Sequence, residues 1–247
     1  MNRSEPMFNV PPVVVALLFL LVAVHVGRYL LPEDLDTWTV LAGALIPSRL
    51  TGEAAALPGG DAATATSFVT HMALHGNLTH LMFNGLWLLA FGGAISLRVG
   101  APRFLAFTLF TGLVAALAFL ALNWGASLPM IGASGAVAGL MGGTMRFIFT
   151  AMDDGGIWRL RVAPSTVRLM SLPAALTDRR VLLATAVLVA LNLLTTIGWL
   201  MPGEEGGGGG IAWQAHLGGY FAGLLSFGLF DRPQPKRPHL RVVETLH

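Results

Sequence analysis

Three short stretches of this 247-residue chain carry side chains that could do chemistry. Ser134 sits in Gly132-Ala133-Ser134-Gly135 at the head of one apolar segment, and His216 sits near the head of another. A third segment carries His71, His75, His80 and Asn84. A hydroxyl or an imidazole inside an apolar segment is costly, which makes it a functional candidate by default. The chemistry at stake is a Ser–His hydrogen bond flanked by polar donors, so the question is which elements could bring these stretches together.

Those elements are apolar helices. Hydrophobic residues make up 54% of the chain and charged residues 11%, against about a quarter charged in ordinary soluble domains. A membrane-crossing helix needs about 20 mostly apolar residues. Six stretches qualify: 11–31, 76–97, 104–122, 131–150, 181–201 and 211–230. The expected fold class is therefore an all-α polytopic membrane protein with six transmembrane helices. The first segment is long, has only Arg3 before it and lacks a small-x-small cleavage site, so it reads as a retained helix rather than a signal peptide. With no cysteine, disulfides, thiol nucleophiles and thiolate metal sites are excluded.

Cations fix the expected orientation. Six spans place both termini on one side, together with Arg3, Arg98, Arg103, Arg159, Arg161, Arg168, Arg179, Arg180, Arg232, Lys236, Arg237 and Arg241. The other side holds Arg28 and Arg49 among acids that include Glu33, Asp34, Asp36, Glu53, Asp61, Glu204 and Glu205. Both termini are thus expected in the cytoplasm. The same bias accounts for the pI near 9.7 without any nucleic-acid partner. The chain divides into a short tail (1–10), one membrane domain (11–231) and a Pro-rich tail (232–247) expected to be disordered. A long first external connection, 32–70, contains a short apolar stretch at 38–46 that suits an interfacial helix. The cytoplasmic loop 151–180 suits either an anionic lipid surface or solvent, and Gly206–Gly210 is a flexible link.

Depth then narrows the reading of Ser134. Seventeen residues from Ser134 to Thr150 rise about 25 Å, short of a hydrocarbon core about 30 Å thick. Ser134 is therefore expected below the external surface, at a helix start reached by the dipping loop 123–131. Non-helical backbone at that depth is tolerated where protein or a water-filled cavity surrounds it. Gly135, Gly139 and Gly143 recur at i+4, and His216, Gly219 and Gly223 share a face. Such small-residue stripes permit close helix approach, so a Ser134–His216 hydrogen bond is feasible. The same stripes also fit helices that merely pack, with both residues as incidental polar glue. In the second segment His80 and Asn84 share a helix face, while His71 and His75 lie nearer the surface. His-x3-His is a possible zinc pair, although no Glu or Asp accompanies it. The alternative is a set of donors for a developing oxyanion.

With these residues in view, the chain resembles the rhomboid family of intramembrane serine proteases. The resemblance runs over roughly residues 10–230 and rests on three motifs: His75-x4-His80-x3-Asn84, Gly132-Ala133-Ser134-Gly135, and Ala215-His216-x2-Gly219-x3-Gly223. Each motif is weak alone; the three together, in order and on the right spans, are specific. The resemblance implies a six-helix rhomboid-like bundle in a bacterial inner membrane, with transmembrane proteins as substrates, lipids as surroundings, and no cofactor or metal. It implies Ser134 as nucleophile, His216 as its base, and an oxyanion held by the Ser134 N–H with His80 and Asn84. Gly132 and Gly135 would shape the serine turn, Gly219 and Gly223 the histidine helix, and His75 would hold the loop above. Phe83, Leu86 and Trp87 would face an approaching substrate helix.

Two features depart from the family's pattern. Thr66-Ser67-Phe68 stands where Trp-Arg is common, and Ala138 stands four residues after the serine, where an aromatic often packs on the histidine. That orienting contact is expected from Tyr220 or Trp213 instead. The departures leave room for a catalytically silent rhomboid-like adaptor that binds membrane-protein clients. A transporter would call for inverted repeats or paired broken helices, which the sequence does not display.

Overall fold

A computed structural model of the chain describes residues 10–196 and 212–231. The two expected tails, apart from Val10, and the Gly206–Gly210 link lie outside the described residues. Six helices form the bundle: α1 (Pro12–Tyr29), α2 (Leu78–Val99), α3 (Ala101–Leu122), α4 (Ser134–Met145), α5 (Arg179–Thr196) and α6 (Trp213–Phe230). No β-strand occurs among the described residues; one isolated bridge, Leu45 to Met130, ties the first loop to the α3–α4 connection. The chain is thus an all-α polytopic membrane protein.

Among the described residues, α1, α2 and α3 are long and apolar enough to cross a membrane on their own. The segment expected as a single span over 131–150 is not one helix. Helix α4 has 12 residues, breaks at Arg146–Phe147, and is followed by a short helix Ile148–Asp153. Its position explains why it can be short. It is the central helix, with Gly135–Leu140 and Gly142–Met145 buried, so its ends meet protein rather than lipid and need not reach either boundary.

The small-residue stripes set how closely that centre packs. A β-carbon at Gly219 would overlap the Gly135 carbonyl oxygen, and one at Gly223 would overlap that of Gly139. One at Gly142 would overlap the Tyr220 carbonyl. Helices α4 and α6 are therefore in backbone contact along their length. Backbone cannot move aside as a flexible side chain can, so Gly223→Ala is expected to cost upwards of about 2 kcal/mol. Thermal unfolding in detergent would report this as a lowered midpoint.

Polar ties fix the loops. Arg49 is buried and donates to the carbonyls of Leu41 (2.8 Å) and Pro58 (2.7 Å), which orders the first loop. A helix forms there over Glu33–Gly43, earlier than the apolar stretch alone suggests, because Glu33, Asp34 and Asp36 favour its N-terminal turn. Arg28, near the end of α1, pairs with Asp36 at 2.7 Å and donates to the His75 carbonyl at 2.8 Å. At the opposite end of the bundle, Arg98 pairs with Asp231 at 2.8 Å and donates to the carbonyls of Pro164 and Val167. Arg146 donates to the carbonyls of Met170 (2.7 Å) and Leu224 (3.1 Å). These arginines hold the 164–170 part of the loop inward, while Met152, Ile157 and Trp158 earlier in the loop are exposed.

Candidate active site

Ser134 is the first residue of α4, so its N–H belongs to the set with no acceptor inside the helix. The turn before it depends on Gly132, whose φ of +119° is a conformation that L side chains rarely adopt. The Gly132 N–H donates to the His71 carbonyl at 2.9 Å, which pins the serine loop to the short turn His71–Ala73. The His71 ring is engaged too, with its Nδ1–H donating to the Ser67 carbonyl at 2.7 Å.

The serine meets the histidine. Ser134 Oγ lies 2.8 Å from His216 Nε2, a bond that joins residues far apart in sequence and depends on the α4–α6 contact described above. On its other side, His216 Nδ1 lies 2.8 Å from Asn192 Oδ1 on α5. The sequence reading missed Asn192. The signal for it is a lone amide within 181–194, a run whose one other polar residue is Thr185. Tyr220 is fully buried beside Ala138 and hydrogen-bonds Thr185 at 2.7 Å.

Helix α2 contributes the third wall. Asn77 caps it, accepting from the His80 N–H at 2.8 Å, and so sets where His80 and Asn84 fall on the following turns. A β-carbon at Gly132 would stand 2.7 Å from His80 Nε2 and 3.6 Å from Ser134 Oγ. The absence of a side chain at 132 thus keeps open the space that His80 and Ser134 both border. Asn84 is 4% exposed, and its Nδ2 has no hydrogen-bond partner among the described residues. A buried amide donor without an acceptor costs free energy and calls for an explanation. One helical turn further on, α2 widens at Leu88–Gly92, a departure common beside functional sites.

His75 lies just before α2, fully buried, with its ring edge-on to that of His80 at 5.0 Å. Burial, reinforced by His80, pushes its imidazole down to about 4, so it is neutral near pH 7. Phe83 and Trp87 are not brought to the serine. They are 48% and 47% exposed on the outward face of α2, with Leu86 beside them, and Trp87 stacks on Phe91. Among the described residues, no three His, Cys, Asp or Glu side chains converge in a way that could hold a metal ion.

This arrangement has parts that acyl transfer uses: a hydroxyl bonded to an imidazole, with His80 bordering the adjacent space. A family model described as Rhomboid domain matches residues 62–232, well over half of the chain. A search of the curated proteins finds no match.

Proposed function

Because the chain belongs to the rhomboid family, we propose that it is an intramembrane serine endopeptidase that cleaves transmembrane proteins near the external membrane boundary. The observation that carries this reading is the 2.8 Å contact between Ser134 Oγ and His216 Nε2. His80 borders the same space as Ser134, and Asn84, one turn further along α2, has a buried amide with no acceptor among the described residues.

In the proposed mechanism, Ser134 Oγ attacks the scissile carbonyl carbon and its proton passes to His216 Nε2. The carbonyl oxygen takes the negative charge and is held by the Ser134 N–H, His80 and the Asn84 amide. Collapse breaks the C–N bond, and the leaving amine takes the proton from Nε2, which leaves an acyl ester on Ser134. Water then attacks the ester, giving its proton to Nε2. The second tetrahedral intermediate expels Ser134, which recovers that proton. The pair works without a carboxylate, which would be expensive to bury at this depth. Gly132 and Gly135 shape the nucleophile's turn, Gly219 and Gly223 bring His216 to it, and His75 supports the loop above. Phe83 and Trp87 face the lipid side from which a substrate helix would come. The arginine distribution supports cytoplasmic termini, and the compact six-helix form suits a bacterial inner membrane.

The adaptor reading has Ala138 in its favour, since an aromatic is absent where the family often has one. Co-reconstitution with a single-span substrate carrying small and helix-breaking residues near its external end separates the two. Proteolysis gives two membrane-associated fragments with a new N-terminus near the boundary. An adaptor leaves the substrate intact and co-purifies with it.

A further inference from the structure

Among the described residues, helix α5 touches the site at Asn192, and with a neutral imidazole the atoms there admit one arrangement of hydrogens. Asn192 Nδ2 lies 2.8 Å from the Leu188 carbonyl oxygen, an acceptor only, so the NH₂ group must face it. The amide oxygen therefore faces His216, at 2.8 Å from Nδ1. An amide oxygen cannot donate, so Nδ1 must carry the imidazole hydrogen. This leaves the lone pair on Nε2, which faces Ser134 Oγ at 2.8 Å. The chain of bonds from Leu188 to Ser134 is complete, directional and uncharged. A second tie on the same face of α5, seven residues earlier, holds the register. The Thr185 hydroxyl donates to the Val181 carbonyl, so the Tyr220 O–H donates to Thr185 at 2.7 Å.

We propose that Asn192 is the positioning residue for His216, selecting the Nδ1–H tautomer and the ring orientation that turn Nε2 toward Ser134. It supplies the orienting contact that Ala138 cannot. It performs the task of a triad carboxylate without bringing a charge into the membrane. The proposal rests on the serine-protease reading of the Ser134–His216 pair.

The test compares wild type with Asn192→Leu and Asn192→Asp in detergent, using a fluorophosphonate probe and a fluorogenic transmembrane peptide. Asn192→Leu is expected to slow labelling and kcat by about 10²-fold, the scale of a misplaced reacting group, with KM little changed. Asn192→Asp keeps an acceptor but adds charge that favours the imidazolium, so the acid limb of its pH–rate profile should move to higher pH. An amide that merely glued α5 to α6 would alter the unfolding midpoint and leave that limb in place. Equal labelling by wild type and Asn192→Leu, or an unmoved limb in Asn192→Asp, would overturn the proposal. So would nitrogen-15 shifts that place the His216 hydrogen on Nε2. The tautomer can be read even in an inert protein. Failure to label together with an Nδ1–H tautomer that is lost in Asn192→Leu would sink the protease reading and leave the positioning contact standing.

Discussion

Replacing Ser134 with alanine is expected to abolish cleavage of a single-span substrate in proteoliposomes, a fall on the order of 10⁴-fold or more. His216→Ala should do the same. The two hydrogen-bond each other at 2.8 Å and act as one unit, so the double variant should be no worse than either single one. Additive losses would mean that the residues act separately. The change should spare the fold, because Ser134 stands at the open start of α4 and removing its hydroxyl creates no overlap with a neighbour. Unfolding midpoints close to wild type are therefore part of the expected result. An inactive but destabilised variant would not count in favour of the mechanism.

The second large effect concerns Asn84, where activity and stability should move in opposite directions. Asn84→Ala is expected to lower kcat by 10²–10³-fold, the usual loss on removing one oxyanion donor. Yet its Nδ2 is buried without a partner among the described residues, a burden worth about 1–3 kcal/mol. An apolar replacement of similar volume, Asn84→Leu, should therefore unfold at the same or a higher temperature while losing comparable activity. Michaelis kinetics and thermal unfolding on the same preparations check both halves. A stability loss parallel to the activity loss would make Asn84 a packing residue. His80→Ala should also lower kcat, since His80 borders the space kept open by Gly132.

What the sequence made legible follows from the physics of the membrane. Hydropathy located most of the described helices to within a few residues, but the rise counted from Ser134 to Thr150 assumed one continuous helix, and that helix ends at Met145. The glycine stripes foretold the backbone contact that joins α4 to α6. The length of α4 was not legible, because the rule requiring about 20 apolar residues applies to helices that meet lipid at both ends, and α4 is enclosed. Asn192 was passed over for a different reason. Hydropathy fixes the depth of α5 but not its rotation, and only the rotation decides whether the amide faces His216 or lipid. Arg28 illustrates a third limit. An arginine near a helix end usually snorkels, and nothing local reveals that the next helix folds back to offer Asp36.

The most direct test of the central claim, a histidine-activated serine, is labelling of the purified protein in lipid by a fluorophosphonate probe. Wild type, Ser134→Ala and His216→Ala should be run side by side. Covalent labelling of wild type at Ser134, absent from both folded variants, is the expected result. A folded wild-type protein that stays unlabelled, or labelling that survives His216→Ala undiminished, would contradict it.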